Sequence, residues 1–148
     1  MIRRLSGLGV VLFLLADTGV GAPVQRLQVV DAKGNTKWER PIRADERFDL
    51  FYVHSSERCR WTQHYAAGPG RRITQTASTF PCFGPGMPVS GELIRRSAEG
   101  FTIAAPRSLD SIDLMNWAPA GLTLRYRHQA IAIGPWFDDY EAFSIRIR

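Results

Sequence analysis

The segment AFSIRIR, which ends the chain, sets Phe143, Ile145 and Ile147 against Ser144, Arg146 and Arg148. A period of two places every second side chain on one face of an extended strand, so one face is buried and the other wetted. The pattern recurs in GLTLRYR, where Leu122, Leu124 and Tyr126 share a face, and in QRLQVVD, QAIAIG and GFTIAA. Repetition of this period, with turn residues between the runs, points to an all-β chain. Turn signals every eight to twelve residues predict about 8–10 short strands in one antiparallel sandwich or partly open barrel.

RFDLFYVHS departs from simple alternation. Phe48, Leu50, Tyr52 and His54 share one parity, while Phe51 and Val53 occupy the other. Large apolar groups on both faces predict a central strand. RWTQHYAA follows after a short polar link and predicts a hairpin with it, and RRITQTASTF predicts a third neighbour. DAKGNTKWE carries a Gly-Asn turn signal. SLDSIDLMNWAP is read as a short helical turn, capped by Ser108 or Asp110 and ended by Pro119, and PWFDDYEAF as one more turn.

The first residues, MIRRLSGLGVVLFLLADTGVGAP, follow another logic. Arg3 and Arg4 precede an apolar run that Asp17 cuts short, and small residues follow at Gly19, Gly21 and Ala22. This is the pattern of a secretory signal peptide, too short for a spanning helix of roughly 20 apolar residues. The expected organisation is a signal peptide over 1–21 and a single β-domain over 22–148. The chain would then be periplasmic or otherwise exported, with no lipid-anchor cysteine at the junction and no stable membrane span in the mature chain. An oxidising compartment and an even count make a Cys59–Cys82 disulfide the expectation, with two buried free thiols as the alternative.

The net charge of +5 is carried by scattered arginine pairs such as Arg58 and Arg60, Arg71 and Arg72, and Arg95 and Arg96. Nucleic-acid binders concentrate such charge on one face, so no nucleic-acid partner is expected. His54 and Ser55 invite a nucleophile–base reading, but neighbours on a strand point to opposite faces. A catalytic pair would need a partner for His54 from elsewhere, such as Ser78 or Ser90. His54, Glu57 and His64 lie close enough in sequence for a metal site if a hairpin joins them. The loop FPCFGPGMPVSG lacks the Lys and Ser/Thr of a phosphate-binding P-loop. No catalytic set, metal or cofactor is therefore assigned.

The segments FDLFYVHSSERCRWTQHY and FPCFGPGMP together resemble a family of small exported bacterial proteins, domain of unknown function 1850. The matching positions are Tyr52, His54, Ser55, Glu57, Tyr65, Phe80, Gly84, Gly86, Met87 and Pro88, with His128 and Ile131 in a later segment. The chain departs from the family pattern at Cys59, Arg60 and Trp61, and at Gln63, where the family carries an acid. Genes of this family often lie beside the permease and solute-binding subunits of TRAP-type transporters of the TAXI class. The resemblance thus implies a non-enzymatic accessory that binds a TRAP permease, its solute-binding protein or the solute. The expected site joins His54, Ser55 and Glu57 to Gly84, Gly86 and Met87, held together by the disulfide. The alternatives are a small envelope hydrolase or metal-dependent enzyme using His54 and Glu57, and a purely structural envelope protein.

Overall fold

The computed structural model describes residues 24–82, 93–98 and 100–148. The expected signal peptide and Gly84, Gly86 and Met87 lie outside the described residues. The described strands are β1 (Gln25–Asp31), β2 (Thr36–Ile42), β3 (Arg47–Val53), β4 (Arg60–Ala67), β5 (Ile73–Phe80) and β6 (Leu93–Ser97). They continue as β7 (Gly100–Leu109), β8 (Ser111–Met115), β9 (Thr123–Tyr126), β10 (Gln129–Ala132) and β11 (Ala142–Ile147). One sheet runs β2-β1-β11-β8 and the other β10-β9-β3-β4-β5-β7-β6. All pairings are antiparallel. No helix among the described residues is long and apolar enough to cross a membrane.

The sheets pack face to face as a sandwich, because each presents one apolar parity inward. The smaller sheet contributes Leu27, Val29, Ile112, Phe143, Ile145 and Ile147 to the core. The larger contributes Phe48, Leu50, Tyr65, Ile73, Leu124 and Tyr126. β3 pairs with β4 on one side and β9 on the other, so it is central, as its two apolar faces predict. The turn after β1 follows its residue signals. Asp31 Oδ1 accepts the amides of Lys33 and Asn35 at 3.0 and 2.8 Å, and Gly34 takes φ +85°.

The helical reading of 108–119 is corrected. Ser108 ends up in β7, and 111–115 forms β8, with Ile112 buried against Ile145 and Asp113 and Met115 exposed. The period-two pattern of Ile112 and Leu114 prevails over the caps because an open edge of the small sheet accepts it. Only a 3-10 turn at Ala118–Ala120 remains, containing Pro119, and a second spans Gly134–Trp136. Asp110 alone separates β7 from β8, so the chain passes between sheets at one residue. Arg72 braces that corner through Ser108 at 2.7 Å and Asp110 at 2.5 Å.

The Cys59–Cys82 disulfide is present, with Cα atoms 6.4 Å apart across a separation of 23 residues. It ties the β3–β4 turn to the end of β5. Replacing both cysteines by serine is expected to lower stability by about 3 kcal/mol on the chain-entropy estimate, read by urea unfolding without reductant. An unchanged midpoint would show that the bridge constrains nothing.

Gly100 takes φ +119°, and a Cβ there would stand 2.2 Å from the Phe80 carbonyl oxygen. Backbone cannot yield as a flexible side chain would. Gly100→Ala should therefore cost about 2 kcal/mol or more in the same measurement.

Candidate functional site

The turn between β3 and β4 is closed by two backbone bonds. His54 donates to the Cys59 carbonyl and Arg58 donates to the His54 carbonyl, each at 2.9 Å. Arg58 takes φ +50°, which lets four residues reverse the chain. This link sets the register of the hairpin, with Val53 opposite Arg60, Phe51 opposite Thr62 and Asp49 opposite His64.

On the inner side, the His54 ring stacks on Trp61 at 4.5 Å, and Trp61 packs on Phe80 at 5.2 Å. Nδ1 of His54 and Nε1 of Trp61 are buried without hydrogen-bond partners among the described residues. His54 and Ser55 line a cavity of about 550 Å³ at the seam between the sheets. Its other wall comes from the end of β8 and the residues after it, including Leu114, Asn116 and Trp117. Met115 and Tyr140 line it too, and are 64% and 67% exposed. Asn116 holds the far wall in place, its Nδ2 donating to the carbonyls of Phe137 and Asp138 at 2.9 and 3.1 Å.

Of the expected site residues, His54 and Ser55 therefore share a cavity, whereas Glu57 is not among its lining. Ser78 lies in the large sheet at 3% exposure, accepting from Gln75 at 3.3 Å. Gln63, where the family pattern has an acid, donates to the Tyr52 hydroxyl at 2.9 Å and accepts from the Tyr65 hydroxyl. An amide can do both at once, which a carboxylate cannot. Burial pushes the Tyr52 phenol up to about 12 and raises Tyr65 as well, so both phenols stay neutral near pH 7.

The outer face of the same hairpin carries a hydrogen-bonded chain that sequence reasoning missed. Arg125 on β9 donates through Nε and Nη2 to Asp49 Oδ2, at 3.0 and 2.7 Å. Asp49 Oδ1 lies 2.8 Å from His64 Nδ1. His64 Nε2 lies 2.9 Å from the Thr79 hydroxyl, which lies 2.7 Å from that of Thr102. The carboxylate fixes the neutral imidazole as the Nδ1–H tautomer, leaving Nε2 to accept from Thr79. His64 thus works on the face opposite His54, and the two do not join Glu57 in a metal site. No group of three or more His, Cys, Asp or Glu able to hold a metal occurs among the described residues. The missed signal was the register, since a four-residue link at 55–58 is enough to place Asp49 beside His64.

Burial pushes the Asp49 carboxyl up, but the bonds from His64 and Arg125 outweigh it and hold the group below the usual carboxylate range. Asp31, Glu39, Glu46 and Asp113 shift the same way. A folded value below the unfolded one gives stability that is complete above the unfolded value, near pH 4. That stability is lost as pH falls through the folded value. Urea unfolding should show stability falling below about pH 5, with a shallower fall in Asp49→Asn. Parallel curves for the two proteins would contradict the Asp49 assignment.

A family model described as "Domain of unknown function (DUF1850)" matches residues 48–133, more than half of the chain. The match spans the β3–β4 hairpin, both of its faces and the strands through β10. Neither a search of curated proteins nor one of solved structures found a match. The chain belongs to the domain of unknown function 1850 family.

Proposed function

We propose that this protein is an exported, non-enzymatic binding component that serves TRAP-type solute uptake, engaging a transporter protein through the seam cavity. The observation that carries the reading is the cavity beside His54, with Met115 and Tyr140 exposed among its lining. Exposed large apolar side chains next to a recess suit a protein partner that inserts its own apolar group. His54 Nδ1, buried and unpaired among the described residues, leaves one hydrogen-bonding group unmet beside the recess. Family membership and the neighbouring transporter genes that the family resemblance implies supply the partner class. The signal-peptide pattern of residues 1–21 supplies the compartment.

The hydrolase reading through His54 and Glu57 gains no support from this geometry, because His54 stacks on Trp61 and Glu57 does not line the cavity. A purely structural role would leave the seam without an occupant.

A photocrosslinking residue at Tyr140, in cells that carry the neighbouring transporter genes, is expected to capture the solute-binding protein or permease. With the photocrosslinking residue moved to Leu114 on the same recess, Tyr140→Glu should abolish that capture at unchanged thermal midpoint, since Tyr140 is exposed. Recovery of neither transporter protein, with and without crosslinking, would contradict the proposal.

A further inference from the structure

We propose that the outer face of the seven-stranded sheet is a second site, which binds an oxyanion, a carboxylate or phosphate group, between Arg60 and Arg95. A hollow of about 540 Å³ there is lined by Phe51, Arg60, His64, Thr79, Arg95 and Arg125. A second hollow of about 510 Å³ shares His64 and Arg95 with the first and adds Arg47, Asp49 and Thr102. The two hollows adjoin at these shared residues and are treated together as one groove.

The charge of this groove is unbalanced. It holds four arginines, Arg47, Arg60, Arg95 and Arg125, and one carboxylate, Asp49. That carboxylate is already engaged, with Arg125 on one oxygen and His64 on the other. Among the described residues, Arg47, Arg60 and Arg95 form no ion pair. An arginine face with cations in excess of its counter-charge attracts anions, and the planar guanidinium matches a carboxylate or phosphate with paired donors.

The groups are also held in place. The guanidinium groups of Arg60 and Arg125 both lie over the Phe51 ring, at 5.7 and 4.6 Å from its centroid. Stacking of this kind limits their motion before any ligand arrives, which reduces the ordering cost of binding. Thr79 and Thr102 are each 8% exposed and joined to His64 in one chain. With His64 neutral, both hydroxyls point their protons along the chain toward Asp49. Phe51, Pro81 and Ala98 line the same hollow, so there is room and apolar surface for a body attached to the anionic group.

The test is an NMR titration of the exported chain at low ionic strength, following the His64 ring and the Nε signals of Arg60 and Arg95. Inorganic phosphate and succinate are the soluble probes, with sodium chloride at matched ionic strength as the background. Sedimentation with vesicles of phosphatidylglycerol, against phosphatidylcholine, tests a lipid headgroup as the source. The proposal predicts saturable shifts with phosphate or succinate, or binding to the anionic vesicles alone, and the responding arm identifies the source. Either response should weaken by at least about tenfold in Arg60→Gln/Arg95→Gln. Both arginines are exposed and form no ion pair among the described residues, so the thermal midpoint should not move, and Arg95→Gln alone serves if the double variant is unstable. Absence of saturable binding in every arm, or equal binding by the variant, would overturn the proposal.

Discussion

The four-residue link at 55–58 is the constraint on which the rest depends. It closes through His54 and Cys59 and sets every opposition along β3 and β4. Because side chains on a strand alternate, one register decision acts on both faces at once. Inside, it lays His54 against Trp61. Outside, it puts Asp49 directly across from His64. A slip of one residue would bury the arginines and expose the aromatic stack. The disulfide guards against this by fixing Cys59, the residue that follows the link, to Cys82.

The two faces meet their electrostatic demands in different ways. On the inner face of the hairpin, Gln63 bridges two neutral tyrosine hydroxyls. The outer face tolerates charge because water reaches it. There Asp49 is shared between His64 and Arg125, leaving neighbouring arginines with positive charge in excess. A buried polar chain is stabilising only when each member is satisfied. From Arg125 through to Thr102, each link lies within 3.0 Å.

Much of the fold was legible in the sequence because alternation is a local signal. Phe143, Ile145 and Ile147 lie buried in β11, and β3 is central as its two-sided pattern predicts. Two local signals competed at 108–119, where good helix caps coincide with a strand period, and the sheet edge decided the outcome. LIRRS, whose two adjacent apolar residues and two adjacent arginines show no alternation, nevertheless pairs with β7 as β6. The recess beside His54 and Ser55 has an opposing wall that runs from Leu114 to Tyr140, far along the chain and beyond any local pattern. Asp49 and Arg125 stand 76 residues apart, so their joint hold on the outer face emerges only once β9 pairs with β3.

The central claim is that one hairpin register gives its two histidines opposite roles. Long-range proton–nitrogen NMR of the histidine rings, recorded at a pH where both are neutral, tests this most directly. The account predicts that His64 is locked as the Nδ1–H tautomer, with a proton deshielded by Asp49 that disappears in Asp49→Asn, while His54 shows no such proton. A rapidly exchanging tautomer mixture at His64, unchanged by Asp49→Asn, would contradict it.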